Sequence, residues 1–164
     1  MRASFLQIIA LCLLTATIFG ACKSKRDSAD PSSYWIIDGV RYIMTTSYTR
    51  MDTNLSRTQI DYTLRASDGS FLEDVQNTVD LSFGDKPLMD GSILIGREPG
   101  QLHIGLSQTI GFGGKEKYYT NQAASTDRAS YTFTNGKITV DIPEITLLAF
   151  SGSNIKFSAH IVEQ

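Results

Sequence analysis

From Tyr34 onward, apolar and polar residues alternate with a period of two, and Gly, Pro, Asn and Asp interrupt the alternation at short intervals. That is the pattern of strands joined by turns, and helical spacing is nearly absent. Trp35, Ile36 and Ile37 meet the run from Val40 to Ile43 across Asp38-Gly39, and an Asp-Gly pair between apolar runs predicts a tight hairpin. Val40, Tyr42, Met44, Thr46 and Tyr48 sit at alternate positions, so they predict one long strand with these five on one face. Ile60, Tyr62 and Leu64 alternate next and stop at Asp68-Gly69; Val79, Leu81 and Phe83 follow and stop at Gly84-Asp85-Lys86-Pro87, because proline cannot donate to a ladder.

Further strands are predicted at Ser92 to Ile95, Gln101 to Ser107 and Lys115 to Thr120, punctuated by Glu98-Pro99-Gly100 and Gly111-Phe112-Gly113-Gly114. The clearest hairpin follows. Ala129, Tyr131 and Phe133 alternate into Asn135-Gly136, and Ile138, Val140 and Ile142 alternate out, which fixes the register. Pro143 is expected to end that return strand or to mark an edge. A last strand runs from about Ile155 to Val162, with Ile155, Phe157, Ala159 and Ile161 on one face. About nine strands in all predict an all-β, antiparallel sandwich; the alternative is a lipocalin-like barrel, which needs strands that close around an apolar hollow. No stretch repeats another, which argues against a solenoid or propeller.

The first 21 residues read differently. Arg2 supplies a positive start, Phe5 to Ile18 form an apolar run too short to span a bilayer, and Phe19-Gly20-Ala21-Cys22 follows. This end resembles the lipobox cut by signal peptidase II, with Phe19 where that pattern usually has Leu. The resemblance implies cleavage before Cys22 and acylation of its thiol, and several acyl chains at about 0.8 kcal/mol per buried methylene make a permanent membrane anchor. Cysteine usage agrees. Cys12 leaves with the leader, so Cys22 is the lone mature cysteine and no intrachain disulfide can form. The domain from Tyr34 to Gln164 must therefore stand on its core, and a chain of that length buries roughly two thirds of its unfolded surface.

Residues 22–33 carry one small apolar residue, Ala29, beyond the cysteine, too little to offset ordering, and are expected to be a flexible tether reaching roughly 20 Å. The organisation expected is thus signal peptide 1–21, lipidated cysteine and tether 22–33, and one β domain 34–164. Loss of Arg2 with the leader takes the net charge from −2 to −3. The single basic cluster, Lys23, Lys25 and Arg26, lies beside the anchor, where it either meets anionic head groups or is simply solvated. A nucleic-acid reader needs a basic stripe, and the domain has none.

Beyond the lipobox, the order of Trp35-Ile36-Ile37-Asp38-Gly39-Val40-Arg41-Tyr42, Pro87 with Asp90-Gly91-Ser92, Tyr118-Tyr119-Thr120 and Asn135-Gly136-Lys137-Ile138-Thr139-Val140 resembles a family of small lipoproteins of Bacteroidetes. Gly91-Ser92-Ile93 departs from the Gly-Thr-Tyr of that pattern. The resemblance implies an immunoglobulin-like or jelly-roll-like sandwich on an outer-membrane lipid anchor and supplies no catalytic residues. Asp27-Ser28-Ala29 resembles the O-glycosylation sequon of exported Bacteroidetes proteins, which would place a glycan on Ser28. Asn54-Leu55-Ser56 fits an N-glycosylation acceptor, a pathway not expected in a bacterium.

Candidate chemistry is sparse. Gly113-Gly114-Lys115 lacks the first glycine and the magnesium-binding hydroxyl of a phosphate loop. His103 and His160 have no ligand at a recognised metal spacing, and no Gly-x-Ser-x-Gly elbow occurs. Adjacent Glu73 and Asp74 would face opposite sides of a strand; Asp80, Asp85 and Asp90 could meet at a rim to hold calcium. No catalytic residue, metal ligand or cofactor is assigned. The aromatic residues Tyr34, Trp35, Phe112, Tyr118 and Tyr119 lie near predicted strand ends, where rings either fill the core or stack on a sugar; of adjacent Tyr118 and Tyr119, one must face outward. Tyr34, Trp35, Tyr118 and Tyr119 are the candidate ligand contacts. The function expected is a noncatalytic, lipid-anchored outer-membrane protein that binds a glycan or an envelope protein or serves a structural role, on a face left open; the alternatives are a glycan-capture module and a lipocalin-like carrier.

Overall fold

The computed structural model describes residues 33–54, 59–69, 75–111, 115–123 and 125–164. Cys22, Ser28, Phe112, the Glu73-Asp74 pair, the Lys23 to Arg26 cluster, Gly113-Gly114 and Leu55-Ser56 lie outside them. Among the described residues eleven strands form one antiparallel, curled sheet: β1 Tyr34–Ile37, β2 Val40–Ile43, β3 Thr46–Asn54, β4 Gln59–Ser67, β5 Val75–Phe83, β6 Gly91–Leu94, β7 His103–Ile110, β8 Lys115–Thr120, β9 Arg128–Thr134, β10 Lys137–Ala149 and β11 Ile155–Val162. Among the described residues, no helix is long and apolar enough to cross a membrane.

Both predicted hairpins form. Asp38 and Gly39, at φ 47° and 82°, and Asn135 and Gly136, at 53° and 82°, take the left-handed conformation that two-residue turns require. The order along the sheet is β2-β1-β11-β10-β8-β7-β5-β4-β3, with β9 paired to β10 and β6 paired to β9. Apart from β6 and β9, neighbours in the sheet are neighbours in the chain, save where β11 meets β1. The two ends of this path, β2 and β3, are consecutive strands. Their junction bonds both ways: the Met44 amide donates to Ser33 O at 3.2 Å and the Thr45 amide to Ser67 O at 2.8 Å. The curled antiparallel sheet, its strands in near chain order and its interior filled by side chains, is the all-β antiparallel sandwich or barrel-like fold expected.

That junction also corrects the single long strand expected from Val40 to Tyr48. The chain changes partner between Met44 and Thr45, so Met44 is buried while Val40 and Tyr48 are 54% and 51% exposed; the split contributes to the count of eleven. A second correction concerns Pro143, which does not end its strand. β10 continues for 13 residues, and its register against β11 shifts between Ile142 and Ile145, where three steps on β10 match two on β11. Proline is tolerated at such a bulge because no ladder bond is lost there. The extra residue switches parity, so Ile138, Val140 and Ile142 before it and Ile145 and Leu147 after it all face the core.

The inward residues of both halves of the sheet fill the space between them. Trp35, Leu64, Val79, Leu81, Ile104 and Phe157 are fully buried, and Phe83 nearly so; each such side chain stabilises by about 1.5–3 kcal/mol when taken out of water. Polar atoms inside are largely paired. Glu163, 7% exposed, accepts from the Tyr62 hydroxyl at 2.7 Å and Lys86 Nζ at 2.9 Å through Oε1, and from the Ile138 amide at 2.8 Å through Oε2. Asn77 ties β5 to Asp68, just past the end of β4, and to Gln108 of β7. Trp35 Nε1 and Ser47 Oγ are buried with no hydrogen-bond partner among the described residues.

Candidate functional site

Because inward residues of β4, β5, β7 and β8 build the core, the alternate residues of the same strands build an outer face. Register arranges them in rows. Arg65, Asp80, Gly105 and Thr120 lie opposite one another in succession, as do Thr78, Ser107 and Tyr118. Together they floor a groove of about 1130 Å³. One wall is the turn Arg97-Glu98-Pro99, tied down by Arg97 Nε to Asn121 O at 3.1 Å and by the Glu98 amide to Gln101 Oε1 at 3.1 Å. Phe150 is the other, 78% exposed and fixed by its amide bond to Tyr118 O at 3.0 Å.

The polar groups of the groove are held in place by one another. Arg65 donates through Nε and Nη2 to both oxygens of Asp80 at 2.5 Å, and through Nη1 to the Tyr48 hydroxyl at 3.4 Å. The bond to Asp80 outweighs burial and raises the guanidinium pKa further, so the fork stays charged. His103 Nε2 and Thr120 Oγ1 share a hydrogen bond of 2.9 Å. Both Asp80 oxygens are thereby held by one guanidinium, so the groove presents oriented donors and acceptors.

A smaller groove of about 410 Å³ lies over β1, β6, β9, β10 and β11. Here Ser92, Ser130, Asp141, His160 and Tyr34 form one row across five strands. His160 Nδ1 meets Asp141 Oδ1 at 2.6 Å, and the His160 ring stacks on Tyr34 at 5.9 Å. Ser130 lies on the far side of Asp141, whereas nucleophile activation needs the imidazole between serine and carboxylate. The row is therefore not a hydrolase triad.

The four aromatic candidates separate cleanly. Tyr118, 48% exposed, faces the large groove. Its neighbour Tyr119 is buried at 6%, and burial first, then the Asp38 charge, push its phenol above the ordinary value; it packs in the core and reaches the groove only as part of its lining, not as an exposed platform. Trp35 is corrected to a core residue, since it is fully buried. The strand period puts Trp35 and Ile37 inward and Tyr34 and Ile36 outward. Tyr34 lies at the surface, but its ring is already engaged by His160 and by the Arg41 guanidinium 3.9 Å above it.

The acids proposed for calcium do not converge: Asp80 holds Arg65, Asp90 accepts from the Phe133 amide at 2.7 Å, and no cluster of three or more metal-ligating side chains occurs among the described residues. Phe150, Arg65, Gly105 and the Asp141–His160 pair escaped the sequence reading. The last joins residues 19 apart, so spacing could not have shown it. Gly105 did leave a signal, a glycine inside an alternating strand between His103 and Ser107. No protein-family model, curated protein or solved structure matches this chain.

Proposed function

We propose that this chain is a noncatalytic, lipid-anchored protein of the bacterial outer membrane whose β domain captures a glycan on the outer face of β4, β5, β7 and β8. The observation that carries the reading is the large groove itself, with hydroxyls from Thr78, Ser107 and Thr120 and the exposed ring of Tyr118 on its floor and the exposed ring of Phe150 at its side. Sugars are recognised by fixed hydrogen-bonding groups beside an aromatic surface, and large exposed aromatics on a polar face mark binding sites. The groove exceeds the usual small-molecule pocket of about 300–1,000 Å³, leaving room for an oligomer. A carrier of an apolar ligand is less well supported, because the interior is occupied by side chains such as Trp35, Phe83 and Phe157. The lipobox at Cys22 supports the anchor.

The test joins location to binding. Intact cells expressing the tagged full-length chain are treated with proteinase K beside a periplasmic control, with Cys22→Ala in parallel, and the detergent-purified chain is applied to an oligosaccharide array. Loss from intact cells, release of Cys22→Ala from the membrane fraction and array binding weakened by Tyr118→Ala and Phe150→Ala are expected. Protection of the wild type overturns capture at the cell surface. Membrane retention of Cys22→Ala overturns the anchor, and an array without binding overturns the glycan.

A further inference from the structure

Gly105 stands in the middle of β7 with no reason for it in the protein's own packing. A glycine within a strand is accounted for by a left-handed turn, a bulge or the close approach of another group. Its φ lies outside the left-handed region. Pairing runs without a shift from Val75 opposite Ile110 to Ser82 opposite His103, and from Gly105 opposite Thr120 to Ile110 opposite Lys115, so there is no bulge. Crowding fails as well, since a Cβ at this position would meet the Asp80 Cβ at 3.8 Å, an ordinary contact. Strand interiors disfavour glycine, so the residue stands against local preference. What it leaves is a gap in the outer-face row between Asp80 and Thr120, at the floor of the large groove.

We infer that Gly105 is the floor of a subsite on which one ring of an uncharged glycan lies, its hydroxyls bonded to the Asp80 carboxylate and to the His103–Thr120 pair. This rests on the glycan reading and narrows it. The side chains beside the gap are already oriented by Arg65 and by the shared His103–Thr120 bond, so little ordering is left to the moment of binding. The charge of the lining selects against anionic sugars. Three carboxylates, Asp80, Glu98 and Glu116, line the groove with two guanidiniums, Arg65 and Arg97; Arg65 is also engaged through Nε and both terminal nitrogens. A sulfated, phosphorylated or uronic chain meets like charge there.

The experiment compares the full-length chain with Gly105→Ala and Gly105→Val on an array of neutral and acidic oligosaccharides, with thermal unfolding of each variant. Wild type binds neutral chains, Gly105→Ala weakens binding, and Gly105→Val loses at least tenfold in affinity, while neither variant unfolds at a lower temperature than wild type. Undiminished binding by Gly105→Val overturns the subsite and leaves the glycan reading standing. Binding to acidic chains alone overturns the selectivity. A wild type that binds no oligosaccharide overturns both readings, and a lowered unfolding temperature for Gly105→Ala returns the glycine to a structural role.

Discussion

Glu163 is the most exacting place to perturb the fold. Its carboxylate is 7% exposed and receives three hydrogen bonds, two on Oε1 from Tyr62 and Lys86 and one on Oε2 from the Ile138 amide. In Glu163→Gln the new amide has no good orientation. With its NH₂ toward Ile138 two donors face each other; reversed, it opposes Lys86, which cannot accept. A hydrogen bond to a charged group contributes about 1.5–3 kcal/mol, and breaking a buried pair costs about 3–5 kcal/mol. Lys86 is partly exposed, 31% by its side chain, so the lower end applies and a loss of about 3 kcal/mol is expected. For a domain of this size that is roughly 10 °C in Tm.

The pH dependence separates this account from a packing defect. Burial by itself raises the carboxyl pKa, but the bonds from Lys86, Tyr62 and Ile138 and the charge of Lys86 outweigh it and hold the group below its ordinary 4.5. A depressed carboxyl contributes stability above its unfolded pKa, and that contribution is lost as pH falls through the folded value. Wild type and Glu163→Gln should therefore differ fully at about pH 7, with the gap closing only as pH falls below 4.5 and through the depressed folded value, read by thermal unfolding with circular dichroism. A gap under about 1 kcal/mol at neutral pH, or one that persists unchanged on acidification, would refute the reasoning.

Three further outcomes are expected. Deleting Glu144 removes the extra residue of the β10 bulge, so that two steps on β10 match two on β11 and Ile142, Ile145 and Leu147 still face inward; the cooperative urea transition should survive, a lost transition would refute this reading of the bulge, and Glu144→Ala, an exposed change, should stay within about 0.5 kcal/mol. Trp35→Ala should cost about 3–5 kcal/mol for a fully buried ring, while Tyr118→Ala, on the outer face, should leave the urea midpoint nearly unmoved; the reverse order would undo the assignment of the two aromatics. Gly136→Ala places a Cβ at φ 82° and should cost about 1–2 kcal/mol, measured as a lowered denaturation midpoint.

Much of the fold was legible because a strand writes its two faces into the chain directly. Ile155, Phe157, Ala159 and Ile161, or Val79, Leu81 and Phe83, need no partner to declare which way they point. Turns were legible for the same local reason, since Asp38-Gly39 and Asn135-Gly136 are among the few pairs that tolerate positive φ at two successive positions. What failed involved partners. The change of neighbours at Met44 and Thr45 and the bulge past Pro143 depend on strands distant in the chain. The site was less legible still. Trp35 and Tyr34 are one residue apart, and which of them is buried depends on which face of β1 packs against the other half of the sheet.

The sequence by itself determined the class of fold, the turns and the inward residues of most strands, because these follow from the period of the chain and the φ allowed to single residues. Tertiary structure alone decided the order of strands along the sheet. It also brought Arg65 to Asp80, His160 to Asp141, and an empty place at Gly105 to the floor of a groove. Those juxtapositions are matters of register between strands, and register is set by the packing of the whole sheet on its core rather than by any one strand.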